Sequence, residues 1–128
     1  MTNSYIKELV DAYPDISEIW LIGSRAAGTQ RDDSDWDYLV FGDERILRSL
    51  TRRKRFKVPG VDILIVYDGK HFKKPWVDNG RRKHGSLSCW CWRTVSPTEA
   101  RYRGTKPATD SDFNVQLIKG SGQRGWPR

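Results

Sequence analysis

Three short apolar runs, each bounded by a glycine or a turn signal, constrain this fold more than any other sequence feature. Glu18–Ile22 ends at Gly23, and Asp35–Phe41 is also followed by a glycine. Val61–Tyr67 is the stretch richest in β-branched residues, and it follows Pro59-Gly60. Runs of this length and composition between turn residues predict β-strands. The chain must therefore build a sheet.

Helical patterns lie between these strands. Apolar residues at helical spacing predict a helix over Ser4–Ala12, and Asp43 is placed to cap another that extends to about Leu50. A further helix is expected to begin at Ser24. A chain of 128 residues fits one compact core. We expect an α/β fold of the α+β kind, with helices on a mixed, partly antiparallel sheet of four or five strands.

The segment after the third strand has weaker signals. Asp68–Gly85 contains a proline, an Asn-Gly pair and many basic residues, which predicts a loop or a short helical turn. Leu87–Val95 alternates along its length and predicts a fourth strand. That strand would carry Trp90 and Trp92 on one face, where a place in the core is favoured over stacking on a nucleic-acid base.

The C-terminal part is predicted mainly from turn residues. Ser96-Pro97 indicates a helix start, and that helix is expected to end by Gly104. Phe113–Ile118 predicts an edge strand, followed by a loose tail. We therefore expect a domain over residues 1–104 and a C-terminal extension over residues 105–128.

Charge is divided unevenly along the chain. Residues 1–44 carry ten acidic and three basic side chains, whereas residues 45–128 carry six acidic and twenty basic ones. The basic part would attract a polyanion such as a nucleotide or nucleic acid. Arg48–Lys57 has six basic residues and no acidic one. A solvated helix end is the favoured interpretation of that segment, and a phosphate-backbone contact is the alternative.

The cysteines and the apolar content indicate the compartment. Cys89 and Cys91 are the only cysteines and are too close in sequence for a structural disulfide. His71 and His84 show no ligand spacing and are expected at the surface. No apolar run approaches the length of a signal peptide or membrane span. We expect a cytoplasmic protein with reduced, partly buried thiols and no membrane contact.

Two aspartates, Asp35 and Asp37, carry the strongest chemical signal. Residues two apart on a strand share a face, so both carboxylates would point the same way. Carboxylate oxygens bind hard divalent ions such as Mg²⁺. Asp62, at the head of the strand Val61–Tyr67, is the candidate for a third ligand. Three carboxylates would hold two ions for phosphoryl transfer.

The Gly23-Ser24 turn supplies the complementary feature. Glycine has no Cβ, so a phosphate can approach the backbone, and a helix that starts there offers free N–H groups. Ser24 adds a hydroxyl donor. An ordinary helix cap is the alternative interpretation of the dipeptide alone.

Together these residues resemble a known family. Gly23-Ser24, ten further residues and Asp35-Trp36-Asp37 resemble the signature of the DNA polymerase β-like nucleotidyltransferase superfamily. The stretch from Gly23 to Val40 is similar to its minimal nucleotidyltransferase branch. The resemblance covers residues 16–67. Ala27 stands where many minimal members have a second arginine, so Arg25 is the remaining arginine of the turn.

The resemblance implies a polymerase β-like fold and an Mg²⁺-dependent enzyme. The enzyme would transfer a nucleoside monophosphate from a nucleoside triphosphate, with ATP expected, to an acceptor hydroxyl and release pyrophosphate. Two Mg²⁺ ions are implied, with Mn²⁺ as the alternative, and the acceptor is a protein, a nucleic acid or a small molecule. The implied metal ligands and catalytic residues are Asp35, Asp37 and Asp62, and the implied nucleotide contacts are Gly23, Ser24 and Arg25.

Two other functions stay open at the level of sequence. Minimal members of the family occur as antitoxins beside separate helical toxin proteins, so this chain is also compatible with docking to such a partner. A nucleic-acid-binding module that uses the basic half and lacks catalysis is the other alternative. Nucleotide transfer that depends on Asp35 and Asp37 would separate the enzyme from both.

Overall fold

The computed structural model describes residues 2–23, 25, 32–33, 35–77, 80, 82–106 and 116–126. Within these residues the helices are α1 (Thr2–Ala12) and α2 (Glu44–Arg52), and a 3₁₀ turn follows at Lys54–Phe56. The strands are β1 (Glu18–Ile22), β2 (Trp36–Phe41), β3 (Val61–Val66), β4 (His71–Lys73), β5 (His84–Ser86), β6 (Arg93–Thr94), β7 (Glu99–Lys106) and β8 (Gln116–Trp126). The helix predicted from Ser24 and most of the loop before Asp35 lie outside the described residues.

Both helices bury one apolar face against the sheet. In α1, Tyr5 and Leu9 lie one turn apart and are buried. In α2, Ile46 and Leu50 are buried in the same way. The Asp43 side chain accepts a hydrogen bond from the Ile46 N–H at 2.9 Å, which satisfies a backbone donor at the start of the helix. The two predicted helices and the predicted cap are confirmed.

The strands form one mixed sheet in the order β5-β4-β3-β2-β1-β8-β7-β6. Strands β2 and β3 are parallel, and the other neighbours are antiparallel. The predicted fold class is confirmed. The sheet has more strands than the four or five predicted: strands from the second half of the chain, including the two longest, β7 and β8, bring it to eight within the described residues.

Each face of the sheet carries an apolar core. Because side chains alternate along a strand, Tyr38 and Ile63 face the helices, whereas Leu39 and Leu64 face the other way. The second face is covered by Trp92 and its aromatic neighbours, which come from the segment before β7 and from β7 itself. The odd residues of β2 and the even residues of β3 therefore point to the side without α1 and α2.

The segment after β5 differs from its sequence prediction. The strand predicted over Leu87–Val95 is mostly turn, and only Arg93–Thr94 pair as β6. The helix predicted from Ser96 to Gly104 is wrong, because Glu99–Lys106 form strand β7. β6 and β7 are antiparallel neighbours.

The turn between β6 and β7 explains the error. The N–H groups of Val95 and Ser96 both donate to the Glu99 carbonyl, at 2.9 and 3.2 Å. The Ser96 hydroxyl accepts the Glu99 N–H at 3.1 Å. A serine followed by proline is favourable at a β-turn as well as at a helix start. The pairing of the flanking strands decides between the two here.

Two further regions are more regular than predicted. Asp68–Gly85 contains β4 and the start of β5, which pair as a hairpin. Gly85 packs closely on its partner strand, because a Cβ at this position would lie 2.7 Å from the Phe72 ring. The strand predicted over Phe113–Ile118 is seen from Gln116 onwards and lies between β1 and β7, so it is not an edge strand. Its end is paired rather than loose as predicted. Glycine-rich strands have a weak sequence signal because the pairing comes from the main chain.

The domain division at residues 1–104 and 105–128 stays a prediction. Neither described helix has the length and apolar composition that a membrane span requires.

Candidate functional site

Two of the predicted carboxylates meet in register at the start of neighbouring strands. Asp37 on β2 is the direct partner of Asp62 on β3, and on its other side Asp37 is opposite Ile22, the last residue of β1. Asp35 lies two residues earlier, just before β2, and is exposed. Strand alternation puts the side chains of Asp37 and Asp62 on the face without helices. The parallel pairing of β2 and β3 therefore makes the acidic pair.

Gly23, directly after β1, lies against the Asp37 carboxylate. Gly23 has φ +77°, a region that residues with a Cβ rarely adopt. A Cβ at this position would lie 2.5 Å from the Asp37 Oδ2 atom. The close approach of the turn to the carboxylate thus requires glycine for two separate reasons. Ser24 lies outside the described residues, so its predicted contact stays a prediction.

The surroundings of Asp37 favour its protonated form. The pKa of Asp37 is raised to about 6, mainly by burial and in addition by the nearby charges of Asp62 and Asp35, against the opposing effect of Lys83 and Lys74. A carboxyl with this pKa holds its proton more tightly than a solvated one, because its ionised form is partly desolvated and lies near other negative charge. A bound cation would offset that negative charge.

Lys74 forms an ion pair with Asp62. The Lys74 Nζ atom lies 2.9 Å from Asp62 Oδ1, and the two side chains are only 14% and 27% exposed. Although the contact is short, the geometry is not that of a hydrogen bond. Within the described residues the buried Oδ1 atom therefore accepts none. Lys74 follows β4, and no local sequence signal connects it with a carboxylate twelve residues earlier.

Tyr102 reaches the same site from β7. Its hydroxyl accepts the Gly23 N–H at 3.0 Å, and its ring stacks on Trp90 and Trp92 at centroid distances of 5.0 and 5.8 Å. The two tryptophans are partly buried and pack against the core on this face, in line with the place in the core that was favoured for them. Sequence reasoning assigned Tyr102 to a helix and so missed this contact.

Arg25 is placed on the other side of β2. Its guanidinium lies 4.2 Å from the centroid of the Trp36 ring, and it donates to the Asp32 carbonyl at 3.4 Å. Trp36 alternates with the acidic pair and packs with the core beneath the helices. The structure therefore does not bring Arg25 together with Asp37 and Asp62, and its role in nucleotide binding stays a prediction.

The remaining titratable candidates lie at the surface. His71 is exposed and pairs with Asp68, with 2.8 Å between Nδ1 and Oδ2. His84 is exposed, as predicted. Cys89 and Cys91 are free thiols, and they are exposed rather than partly buried.

The acidic site has the donor chemistry of a cation site. Asp35 and Asp37 offer hard carboxylate oxygens, and the buried Oδ1 atom of Asp62 retains acceptor capacity. Over the part of the chain that the structure describes, no group of three or more such side chains converges on one point. The third carboxylate is turned to Lys74 instead. These residues fit a divalent ion at Asp35 and Asp37 better than a site of three carboxylates.

A family model described as "Polymerase beta, Nucleotidyltransferase" matches residues 4–59. The matched segment contains Gly23, Asp35 and Asp37 and ends before Asp62. No curated protein matches the chain.

Proposed function

We propose that this protein is a divalent-metal-dependent nucleotidyltransferase, because residues 4–59 match the family model described as "Polymerase beta, Nucleotidyltransferase". It transfers a nucleoside monophosphate from a nucleoside triphosphate, with ATP expected first, to an acceptor hydroxyl. The observation that carries the proposal is the acidic pair of Asp37 and Asp62 in register, with the Gly23 turn above it.

The chemistry is an in-line displacement at the α-phosphorus. The acceptor oxygen forms a bond to phosphorus, the bond to the β-phosphate oxygen breaks, and pyrophosphate leaves with that electron pair. The hydroxyl proton passes to Asp62 or to water. Mg²⁺ or Mn²⁺ held by Asp35 and Asp37 would supply positive charge to the reacting phosphate.

The turn and the strands provide the positioning. Because Gly23 has no side chain, it can lie close to the Asp37 carboxylate, and its own N–H is fixed by the Tyr102 hydroxyl. The hydroxyl of Ser24 would donate to the β- and γ-phosphates. Since the carboxylates lie on neighbouring strands, their spacing is fixed by the sheet rather than by a loop.

Transfer of label from an α-³²P-labelled nucleoside triphosphate tests the proposal, with pyrophosphate release measured in parallel. Wild type is expected to show transfer or self-labelling with Mg²⁺ or Mn²⁺. Asp35→Asn and Asp37→Asn should each lower the rate at least about a hundredfold, as losing one preorganised electrostatic group does. Asp11→Asn, on the exposed side of α1, is the matched control and should leave the rate unchanged.

Two results would contradict the proposal. One is the absence of pyrophosphate release with all four nucleoside triphosphates and both ions, tested with protein, RNA and small-molecule acceptors. The other is a rate that Asp35→Asn and Asp37→Asn leave at the wild-type value.

A nucleic-acid-binding module is the second candidate function, because a cleft on α2 is lined mainly by arginines. Its lining residues are Arg45, Arg48, Ser49, Arg52 and Arg53. These cations lie on the helix side of the sheet, away from the acidic pair. Single-stranded RNA binding that weakens steeply with salt, survives the two carboxylate substitutions and occurs without nucleotide turnover would favour this candidate.

A further inference from the structure

A lysine from outside the matched segment lies against the acidic pair. The Lys74 ammonium is 2.9 Å from Asp62 Oδ1, and both side chains are mostly buried. Desolvating two charges is costly, so a mostly buried pair of this kind contrasts with the mobile ion pairs of a surface. The ion pair between Lys74 and Asp62 is therefore a fixed part of the site.

The main chain around Lys74 is held in place. Its N–H donates to the Lys83 carbonyl at 2.7 Å, and its carbonyl accepts from the Arg82 guanidinium at 2.8 Å. The next two residues, Pro75 and Trp76, are buried. The ammonium is therefore delivered to Asp62 by an anchored segment rather than by a flexible loop.

The position of this ammonium bears on how many metal ions the site takes. Asp62 is the carboxylate that would bind the ion on the side of the attacking hydroxyl, yet its buried oxygen faces Lys74. Asp35, Asp37 and Asp62 carry three negative charges when ionised. One divalent ion together with the Lys74 ammonium already carries three positive charges, and Lys83 is a further cation near Asp37. A second divalent ion would therefore leave the nucleotide-free site with excess positive charge.

We propose that Lys74 takes the place of the second metal ion, so that the site binds one divalent ion, at Asp35 and Asp37. Lys74 is a positioning residue in this arrangement: it neutralises Asp62 and holds that carboxylate beside the acceptor hydroxyl. The inference rests on the proposed function for its mechanistic meaning, but the number of ions is measurable without turnover.

Counting bound Mn²⁺ by electron paramagnetic resonance tests the inference on the intact chain, without nucleotide and then with a non-hydrolysable triphosphate analogue. Wild type should bind one Mn²⁺ per chain without nucleotide, and still only one in the complex with the analogue. Lys74→Met keeps the length of the side chain and removes its charge, so it should gain a second Mn²⁺ at Asp62. Lys74→Arg keeps the charge and should stay at one. Lys70→Met, in the exposed turn before β4, is the matched control.

Folding of the variants is checked by circular dichroism and thermal melting. The Lys74→Met/Asp62→Asn double variant removes both members of the pair, leaves no unpaired buried charge and should return to one Mn²⁺. Two ions in wild type would overturn the inference. So would a folded Lys74→Met variant that gains no second ion.

The two proposals fail in different ways. One bound Mn²⁺ without nucleotide transfer would leave the Lys74 inference standing and remove the enzymatic function. Nucleotide transfer with two bound Mn²⁺ ions would support the enzymatic function and overturn the Lys74 inference.

Discussion

Replacing Asp37 by asparagine is expected to stabilise the metal-free protein at neutral pH, although the proposed function requires the Asp37 carboxylate. The carboxyl is half-buried beside Asp62 and Asp35, and these surroundings raise its pKa from 3.8 to about 6. The folded protein therefore binds this proton more tightly than the unfolded chain does. As the pH rises from about 4 to about 6, the unfolded chain ionises first, and the folded state loses stability relative to it.

The size of the effect follows from the pKa shift. A shift from 3.8 to about 6 corresponds to about 3 kcal/mol at neutral pH if the site were dry. The carboxyl is in contact with solvent, which screens its neighbours, so we expect about 1–2 kcal/mol. For a chain of this length that is a rise in Tm of roughly 3–8 °C. The asparagine side chain of the variant never ionises and so avoids the loss.

Urea unfolding in the presence of a chelator, repeated from about pH 4 to about pH 8, measures this difference. The increase in unfolding free energy from Asp37→Asn should be small at about pH 4. It should grow between the unfolded and folded pKa values of Asp37, 3.8 and about 6, and stay constant above them. Asp11→Asn, exposed on α1, is the control and should show no such curve. Added Mg²⁺ should stabilise wild type and not the variant.

The reasoning is refuted if Asp37→Asn changes stability by the same amount at every pH. It is equally refuted if the substitution destabilises the metal-free protein at about pH 8, because that sign would mean that the ionised carboxylate is favourably paired in the fold.

Three further substitutions test individual contacts. Gly23→Ala puts a Cβ 2.5 Å from Asp37 Oδ2. It should lower the free energy of unfolding by about 1–3 kcal/mol and weaken Mn²⁺ binding. A stable variant that binds Mn²⁺ tightly would contradict this. Tyr102→Phe removes the acceptor of the Gly23 N–H. It should slow nucleotide transfer, measured with the radiolabelled triphosphate, and lower the free energy of unfolding in urea by about 1–2 kcal/mol. An unchanged rate would show that the turn does not need this hydrogen bond. Tyr5→Phe removes a 2.8 Å hydrogen bond to the Phe56 carbonyl. It should lower the free energy of unfolding in urea by about 1–2 kcal/mol without affecting nucleotide transfer, since Tyr5 lies on the helix side of the sheet. Full stability of the variant would count against that bond.

The acidic pair could be predicted because its signals are local. A period of two in Asp35–Phe41, with glycine after the preceding run, predicts both a strand and the face on which Asp37 lies. Asp62 followed from its place at the head of the next apolar run. The structure puts Asp62 directly beside Asp37 because β2 and β3 are parallel and in register.

Lys74 and Tyr102 could not be predicted in the same way. Lys74 reaches the site through the pairing of β3 with β4, and Tyr102 reaches it through the pairing of β1, β8 and β7. Single-residue preferences carry no information about such pairing. The proline after Ser96 is compatible with a helix start and with a turn, and only the neighbouring strands favour the turn. Errors therefore concentrate where register, rather than composition, determines the structure.

The site depends on chain that lies beyond the segment matching the family. Residues 4–59 include β1 and β2 but neither Asp62 nor its strand. Without β3, Asp37 would lose its in-register partner, and one edge of β2, with the buried Leu39, would be uncovered. Lys74 sets the charge at the acidic pair, and Tyr102 fixes the turn above it. The residues beyond the matched segment therefore complete the acidic centre.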